Sequence, residues 1–300
     1  MTVSVYLPAA LSLLLAVISR IVVAWTAPTR AVAFVIAAML CAAATTWGLV
    51  LLAATLLGNT SLVAGEASER GVQLQDPVPE LIAVIAAALL ILGAVRVVRV
   101  LRARRTMLHE LRAVCCSCGG GELAVVALDA PHAFAVPGRP ARILITRGLL
   151  SMLDGDERRV VLAHERAHLQ GRHHWLRGVA EVCAAVNPVL IPVREAVAFL
   201  VERCADEHAA AVTGSRVLVA RALAKAALAS GTPGATPSWP GTLAFAGCGV
   251  SARVAALHSD PPRPEPLVPS GVLALGVATA VAAVQATVAF CQLIYWLWPA

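Results

Sequence analysis

Charge is scarce in this 300-residue sequence: 14% of residues are charged, 59% are hydrophobic, and the mean hydropathy is +0.77. A soluble domain carries about 25% charged and about 45–50% apolar residues. A chain made only for water is therefore excluded, and lipid must form part of its solvent. Paired cysteines are also lacking. Eight cysteines are scattered along the chain, with one CxxC spacing in Cys115-Cys116-Ser117-Cys118. No second pair follows, which excludes a four-thiolate structural zinc site and leaves reduced thiols near the membrane. No aromatic residues interleave the arginines of segment 96–112, so direct nucleic-acid binding is not expected. The net charge of +6 is better read as membrane topology.

What is present is a set of long apolar segments. Four of them approach the roughly 20 residues needed to cross a bilayer: about 5–25, 33–57, 80–100 and 272–298. Arg96 and Arg99 lie near the end of the third, where they can snorkel. Tyr295, Trp296 and Trp298 form an aromatic anchor on the fourth. The first lacks a basic start and a second long span follows closely, so it reads as a span and not as a cleaved signal. Between the second and third, Glu66, Glu69, Asp76 and Glu80 outnumber Arg70. After the third, Arg96, Arg99, Arg102, Arg104, Arg105 and Arg112 outnumber Glu110. The positive-inside rule then puts the arginines in the cytoplasm and both termini outside, in a multi-pass cell-membrane protein.

Between the third and fourth spans there is room for one domain. Short strands are predicted at Leu123–Leu128, Ala133–Val136 and Arg142–Thr146, then a short helix from Gly148 to Leu153. Asp154 reads as an N-cap, with Glu157 completing a capping box for a helix through Leu169. Further helices are predicted over 173–186, 192–212 (ending at Gly214) and 216–230. Residues 231–241 read as a loop, and Pro261, Pro262, Pro264, Pro266 and Pro269 as a stiff linker.

The chemistry lies in His164-Glu165-Arg166-Ala167-His168. Residues i and i+4 stack on one helix face, so both imidazoles can reach one ion. Glu165, on an adjacent face, can touch an attacking water without occupying the metal. The preceding Val160, Val161, Leu162 and Ala163 mark a buried helix, where such a polar triplet is out of place unless used. A catalytic zinc needs a third protein ligand and an open position. Glu202 supplies it, and Asp206, one turn later, can accept the free ring N–H of a ligand histidine. The competing reading of that helix is a solvated charged face with Arg203 and Glu207. Candidates for a transition-state donor are His208, His173, His174 and His258, each of which also reads as a surface or packing histidine.

HExxH followed by Glu-x-x-x-Asp resembles the gluzincin-type membrane proteases, including the CAAX-prenyl and HtpX types. Residues 129–212 look most like the BlaR/MecR antirepressor metallopeptidase family, through Ala133-Phe134-Ala135-Val136-Pro137-Gly138, Ile143-Leu144-Ile145-Thr146, Gly148-Leu149-Leu150 and Asp156-Glu157. The resemblance implies one zinc ion held by His164, His168 and Glu202, with Glu165 catalytic and Asp206 orienting a histidine. It also implies that Ala133, Phe134, Ala135 and Val136 hold an extended substrate by strand addition. The fold class it implies is a mainly α membrane protein: four transmembrane helices with a cytoplasmic α+β zincin-like protease domain between the third and fourth. Residues 1–101 would hold three spans, 102–260 the protease domain, and 261–300 the linker and fourth span. The substrate implied is a cytoplasmic DNA-binding repressor; the partners are that protein, the bilayer and, compatibly, a second copy of the chain. Two alternatives stay open: an HtpX-like quality-control protease and a non-proteolytic metal-binding receptor. The chain has no Ser-x-x-Lys, so β-lactam sensing by acylation is not expected.

Overall fold

Long stretches of good helix formers, broken by glycine and proline, dictate most of the architecture. The computed structural model describes residues 2–24, 26–58, 79–230, 249–260 and 267–297. Those residues are mostly helical, with one small sheet. Helix α1 spans Thr2–Val22 and α2 spans Ala31–Gly58. Helix α3 runs unbroken from Glu80 to Ser117. Its first half is apolar and its second half is arginine-rich, but Ala, Leu and Arg all favour helix, so nothing stops it at the water boundary. It ends only before Gly119 and Gly121, whose φ of +84° and +138° suit residues without a Cβ. The boundary predicted at 101/102 therefore falls inside a continuous helix.

Strands β1 (Leu123–Val126), β2 (Ala133–Val136) and β3 (Arg142–Thr146) form a sheet of order β1-β3-β2. β1 is parallel to β3 and ends two residues earlier than predicted, because Leu128 N–H turns back to the Val126 carbonyl. β2 runs antiparallel to β3 and lies at the sheet edge. Helices α4 (Arg147–Met152) and α5 (Gly155–Gln170) follow. The predicted capping box at α5 is complete: Asp154 Oδ1 accepts from Glu157 N–H at 2.8 Å, and Glu157 Oε2 accepts from Asp154 N–H at 2.9 Å. Then come α6 (His173–Val186), α7 (Ile191–Thr213), α8 (Arg216–Ser230), α9 (Val250–His258) and α10 (Leu267–Leu297).

Among the described residues, three helical segments are long and apolar enough to cross a membrane: Pro28–Leu56, Glu80–Ser117 and Leu267–Cys291. The apolar part of α1, Tyr6–Val22, is shorter. Pro269, predicted in the linker, sits in the first turn of α10, where its missing N–H costs no hydrogen bond. Residues 59–78 of the acidic loop, the 231–241 loop, Pro261–Pro266, Trp298 and the side chains of Tyr295 and Trp296 lie outside the described residues.

The cores tie the apolar helices to the site. Leu15 of α1, Phe34, Ala38 and Cys41 of α2, Ala180 and Cys183 of α6, and Val193 and Leu200 of α7 share one buried cluster. A second cluster packs α5 against β3, α8 and α9 through Ile143, Val160, Val161, Leu223 and Leu257. Helices α6 and α7 thus belong as much to the apolar bundle as to the unit carrying the sheet. Helices α2 and α10 approach closely at Gly276, where an added Cβ would stand 2.9 Å from Ala37 Cα. Small residues permit such contacts between apolar helices.

Candidate metal centre

Helix α5 presents His164 and His168 one turn apart, and α7 presents Glu202 opposite them. His164 Nε2 lies 3.0 Å from His168 Nε2. Glu202 Oε2 is 3.6 Å from His164 Nε2, and its Oε1 is 3.7 Å from His168 Nε2. Two ligand atoms at about 2.0–2.1 Å from a tetrahedral ion stand about 3.3 Å apart. The three separations bracket that value, so the donor set fits one zinc ion. All three residues are at most 2% exposed. Neither carboxylate oxygen of the fully buried Glu165 is satisfied by a side chain among the described residues, and the backbone N–H of Ala135 is directed at the carboxyl. Buried polar atoms are normally satisfied, and an under-satisfied carboxylate beside this donor set marks a place where water or substrate belongs.

Each histidine is backed on its far nitrogen. Asp206 Oδ1 lies 3.1 Å from His164 Nδ1. His173 Nδ1 lies 2.9 Å from His168 Nδ1, with the rings edge to face. The sequence offered His173 as a transition-state donor or as a surface or packing histidine. The structure buries it at 5% exposure, against His168. Arg172, at φ +49°, makes the turn that brings His173 back to α5. His258 is exposed and contacts the Val254 carbonyl of its own helix.

Two cations that the sequence did not single out complete the centre. Arg253, on α9, is fully buried. It donates from Nε and Nη2 to Asp206, both at 2.7 Å, and its Nη1 is 3.0 Å from Glu202 Oε2. Arg177 Nη1 reaches Glu202 Oε1 at 3.4 Å. The signal available for them was charge balance alone: three carboxylates in a dry site call for cations. Nor is α7 a solvated charged face. Arg203 is 7% exposed and turns to the Ala24 and Thr26 carbonyls, while Glu207 pairs with Arg216 at 2.6 Å.

The electrostatics follow from this packing. Burial pushes the Glu165 carboxyl up to about 7, with Glu202 adding to the shift and His164 opposing it. For Glu202, burial is outweighed by His168, His164 and Arg253, which hold it well below the usual carboxylate range. Burial pulls His164 down, but Asp206 and Glu202 prevail and leave it raised to about 9. Burial lowers His168 and takes His173 to about 4, so His173 is neutral and its Nδ1 can accept a hydrogen bond from His168 Nδ1–H.

The predicted substrate segment lies beside the metal helix as edge strand β2. The Thr146 N–H donates to the His132 carbonyl, which fixes the alternation of the ladder. Phe134 and Val136 accordingly face β3 with their backbone groups, and Ala133 and Ala135 turn theirs to the open edge. The Phe134 and Val136 side chains are buried against Leu111 and Cys115 of α3. Only the backbone of this strand can hold an extended peptide. Ala135 N–H also helps to counter the rise of the Glu165 carboxyl.

Comparison with known proteins agrees with this geometry. The model of Peptidase family M48 matches residues 108–193, from the end of α3 to the start of α7. The match contains His164, Glu165, His168 and His173 and stops short of Glu202, Asp206 and Arg253. A "Protease HtpX homolog" of Thermococcus sibiricus (strain DSM 12597 / MM 739) is 37% identical over 65 residues, 21% of this chain and 22% of that protein. Another of Aquifex aeolicus (strain VF5) is 39% identical over 62 residues, 20% of each. The chain thus matches about a fifth of the length of these curated relatives. No solved structure matches. These matches and the three apolar helices support a metallopeptidase domain in a membrane protein.

Proposed function

We propose that the chain is a membrane-embedded zinc metalloendopeptidase, with His164, His168 and Glu202 as metal ligands and Glu165 as the catalytic carboxylate. The carrying observation is the convergence of those three ligands from two helices, each histidine braced from behind. When bound, zinc lowers the pKa of a water toward about 7 and polarises a scissile carbonyl. Glu165, poised near neutrality, takes the proton of the attacking water and returns it to the leaving amine. Asp206 accepts from His164 Nδ1–H and His173 from His168 Nδ1–H, which leaves both Nε2 lone pairs free to ligate. Arg253 neutralises the carboxylates behind the site. The edge of β2 aligns the substrate backbone through Ala133 and Ala135.

In this reading α1 is a fourth span, the sheet and metal helix face the cytoplasm, and both termini lie outside. The arginine-rich end of α3 supports that orientation. The HtpX-type matches favour a quality-control role acting on membrane proteins. The likeness of residues 129–212 to the antirepressor peptidases favours a second reading, cleavage of one cytoplasmic repressor. Purified chain should carry about one zinc and cleave an unfolded membrane protein in a chelator-sensitive way. Glu165→Gln should keep the zinc and lose cleavage. A wild-type chain with no bound zinc would overturn the proposal, and zinc without hydrolysis would make the chain a metal-binding receptor. Proteins that accumulate in a Glu165→Gln strain separate the two substrates: many membrane proteins for quality control, one repressor for signalling.

A further inference from the structure

Behind the metal centre, with which it shares Arg177, a groove of about 690 Å³ opens between α3 and the α6–α7 pair. Its walls carry Arg96, Arg99 and Arg104 from α3, Arg177 from α6 and Arg194 from α7, against Glu181 and Glu195. Two of these cations are matched locally: Arg104 pairs with Glu181 at 2.7 Å, and Arg194 with Glu195 at 3.5 Å. Arg177 leans on Glu202. Among the described residues, Arg96 and Arg99 form no ion pair, so the groove has a surplus of positive charge at its α3 wall. The floor is apolar, formed by Val100, Ala184 and Ala185.

The position of this charge on α3 identifies its complement. Leu81, Ile85, Leu89 and Leu92 are 42–70% exposed and recur at helical spacing. Continued by the same period, that stripe runs into Arg96 and Arg99. From Ile85 to Arg96 the helix rises about 16 Å at 1.5 Å per residue. One leaflet of a bilayer is about 15 Å of hydrocarbon. A soluble anion would use the arginines and leave the stripe bare. An acidic peptide would do the same.

We propose that the groove binds the phosphate headgroup of an anionic phospholipid, with Arg96 and Arg99 as its ligands and the acyl chains along the Ile85–Leu92 part of the stripe. Basic pockets between helices at the cytoplasmic boundary suit such headgroups. The inference is independent of the metal and rests only on α3 crossing the membrane.

The test is titration of the full chain in neutral detergent with phosphatidylglycerol and with phosphatidylcholine, bound lipid being counted by native mass spectrometry. Phosphatidylglycerol should bind at about one per chain and outcompete phosphatidylcholine. Arg96→Gln/Arg99→Gln should weaken it at least tenfold, while Arg96→Lys/Arg99→Lys stays within about threefold. Arg102→Gln/Arg105→Gln removes the same charge from residues outside the groove and should stay within about twofold. Equal losses in the two glutamine doubles would replace the site with a diffuse basic belt. Equal binding of phosphatidylcholine would overturn it as well. Displacement by inorganic phosphate at the lipid's own concentration would assign the arginines to a soluble phosphate, and tighter binding of polyglutamate to an acidic protein segment. Either result refutes the lipid assignment.

Discussion

The guanidinium of Arg253 grips the carboxylate of Asp206 through two hydrogen bonds of 2.7 Å, and neither side chain is more than 2% exposed. The same guanidinium touches Glu202, so one cation on α9 holds both acids of α7 in place. A bidentate fork of this kind fixes geometry as well as charge.

Removing that cation leaves two carboxylates unbalanced in a dry site. Breaking a buried pair from one side costs about 3–5 kcal/mol. Arg253→Gln should therefore lower the melting temperature of the metal-free chain and weaken zinc at least tenfold. Arg253→Lys keeps the charge without the fork and should fall between the two. Melting curves with and without zinc give both quantities. A glutamine variant that melts and binds zinc like the wild type would make the pair dispensable.

His173 predicts a second outcome. Its Nδ1 faces the Nδ1 of His168, in the role that Asp206 plays for His164. Partners behind a ligand are worth about 10–100-fold in metal affinity. His173→Phe keeps an aromatic ring, slightly larger, and deletes both nitrogens, so zinc affinity should drop by that factor while the chain still folds. Competition with a chelator of known affinity measures it, and unchanged affinity would reduce His173 to packing.

The sequence carried the local half of this centre. HExxH is a statement about one helix, and the Asp154–Glu157 box announces where that helix starts. Glu202 and Asp206 were legible because two acids one turn apart share a face. Arg253 was not. It stands on a nine-residue helix flanked by stretches of weak pattern, and only tertiary packing brings it to Asp206. His173 escaped its role for a related reason: the left-handed turn at Arg172 redirects the chain, and an isolated Arg codes for no such turn. The shared core of α2, α6 and α7 was hidden because an apolar helix face reads alike whether it meets lipid or protein.

Stability against acid should depend on Glu157. This carboxylate closes the capping box and meets Lys225 at 2.8 Å and Arg221 at 3.2 Å. Burial alone would raise it, but the Lys225 contact and the Asp154 N–H prevail and hold it below its ordinary 4.5. A carboxyl with a depressed folded value stabilises fully above its unfolded value. That stabilisation fades as pH falls below about 4.5 toward the folded value. Glu157→Gln keeps a capping acceptor but loses both ion pairs, so it should cost about 1 kcal/mol or less at neutral pH and flatten the fall of melting temperature below about pH 4.5. If wild type and variant lose stability in parallel through that window, the acid sensitivity lies elsewhere.

Strand addition at β2 makes its own prediction through one atom. Ala135 pairs with Ile143 in a register that turns its N–H away from β3, toward the open edge and Glu165. Proline at that position deletes the outward donor and leaves the β2–β3 ladder intact, since edge strands tolerate proline where no ladder bond is lost. A peptide docked on the edge loses one backbone hydrogen bond, and the catalytic carboxylate loses a nearby dipole. Ala135→Pro should keep stoichiometric zinc and its melting temperature within a few degrees, while kcat/KM falls about tenfold or more. Ala135→Gly retains the N–H and should cleave within about threefold of wild type. Zinc-loaded Ala135→Pro that cleaves as fast as Ala135→Gly would mean that substrate reaches Glu165 without using this strand.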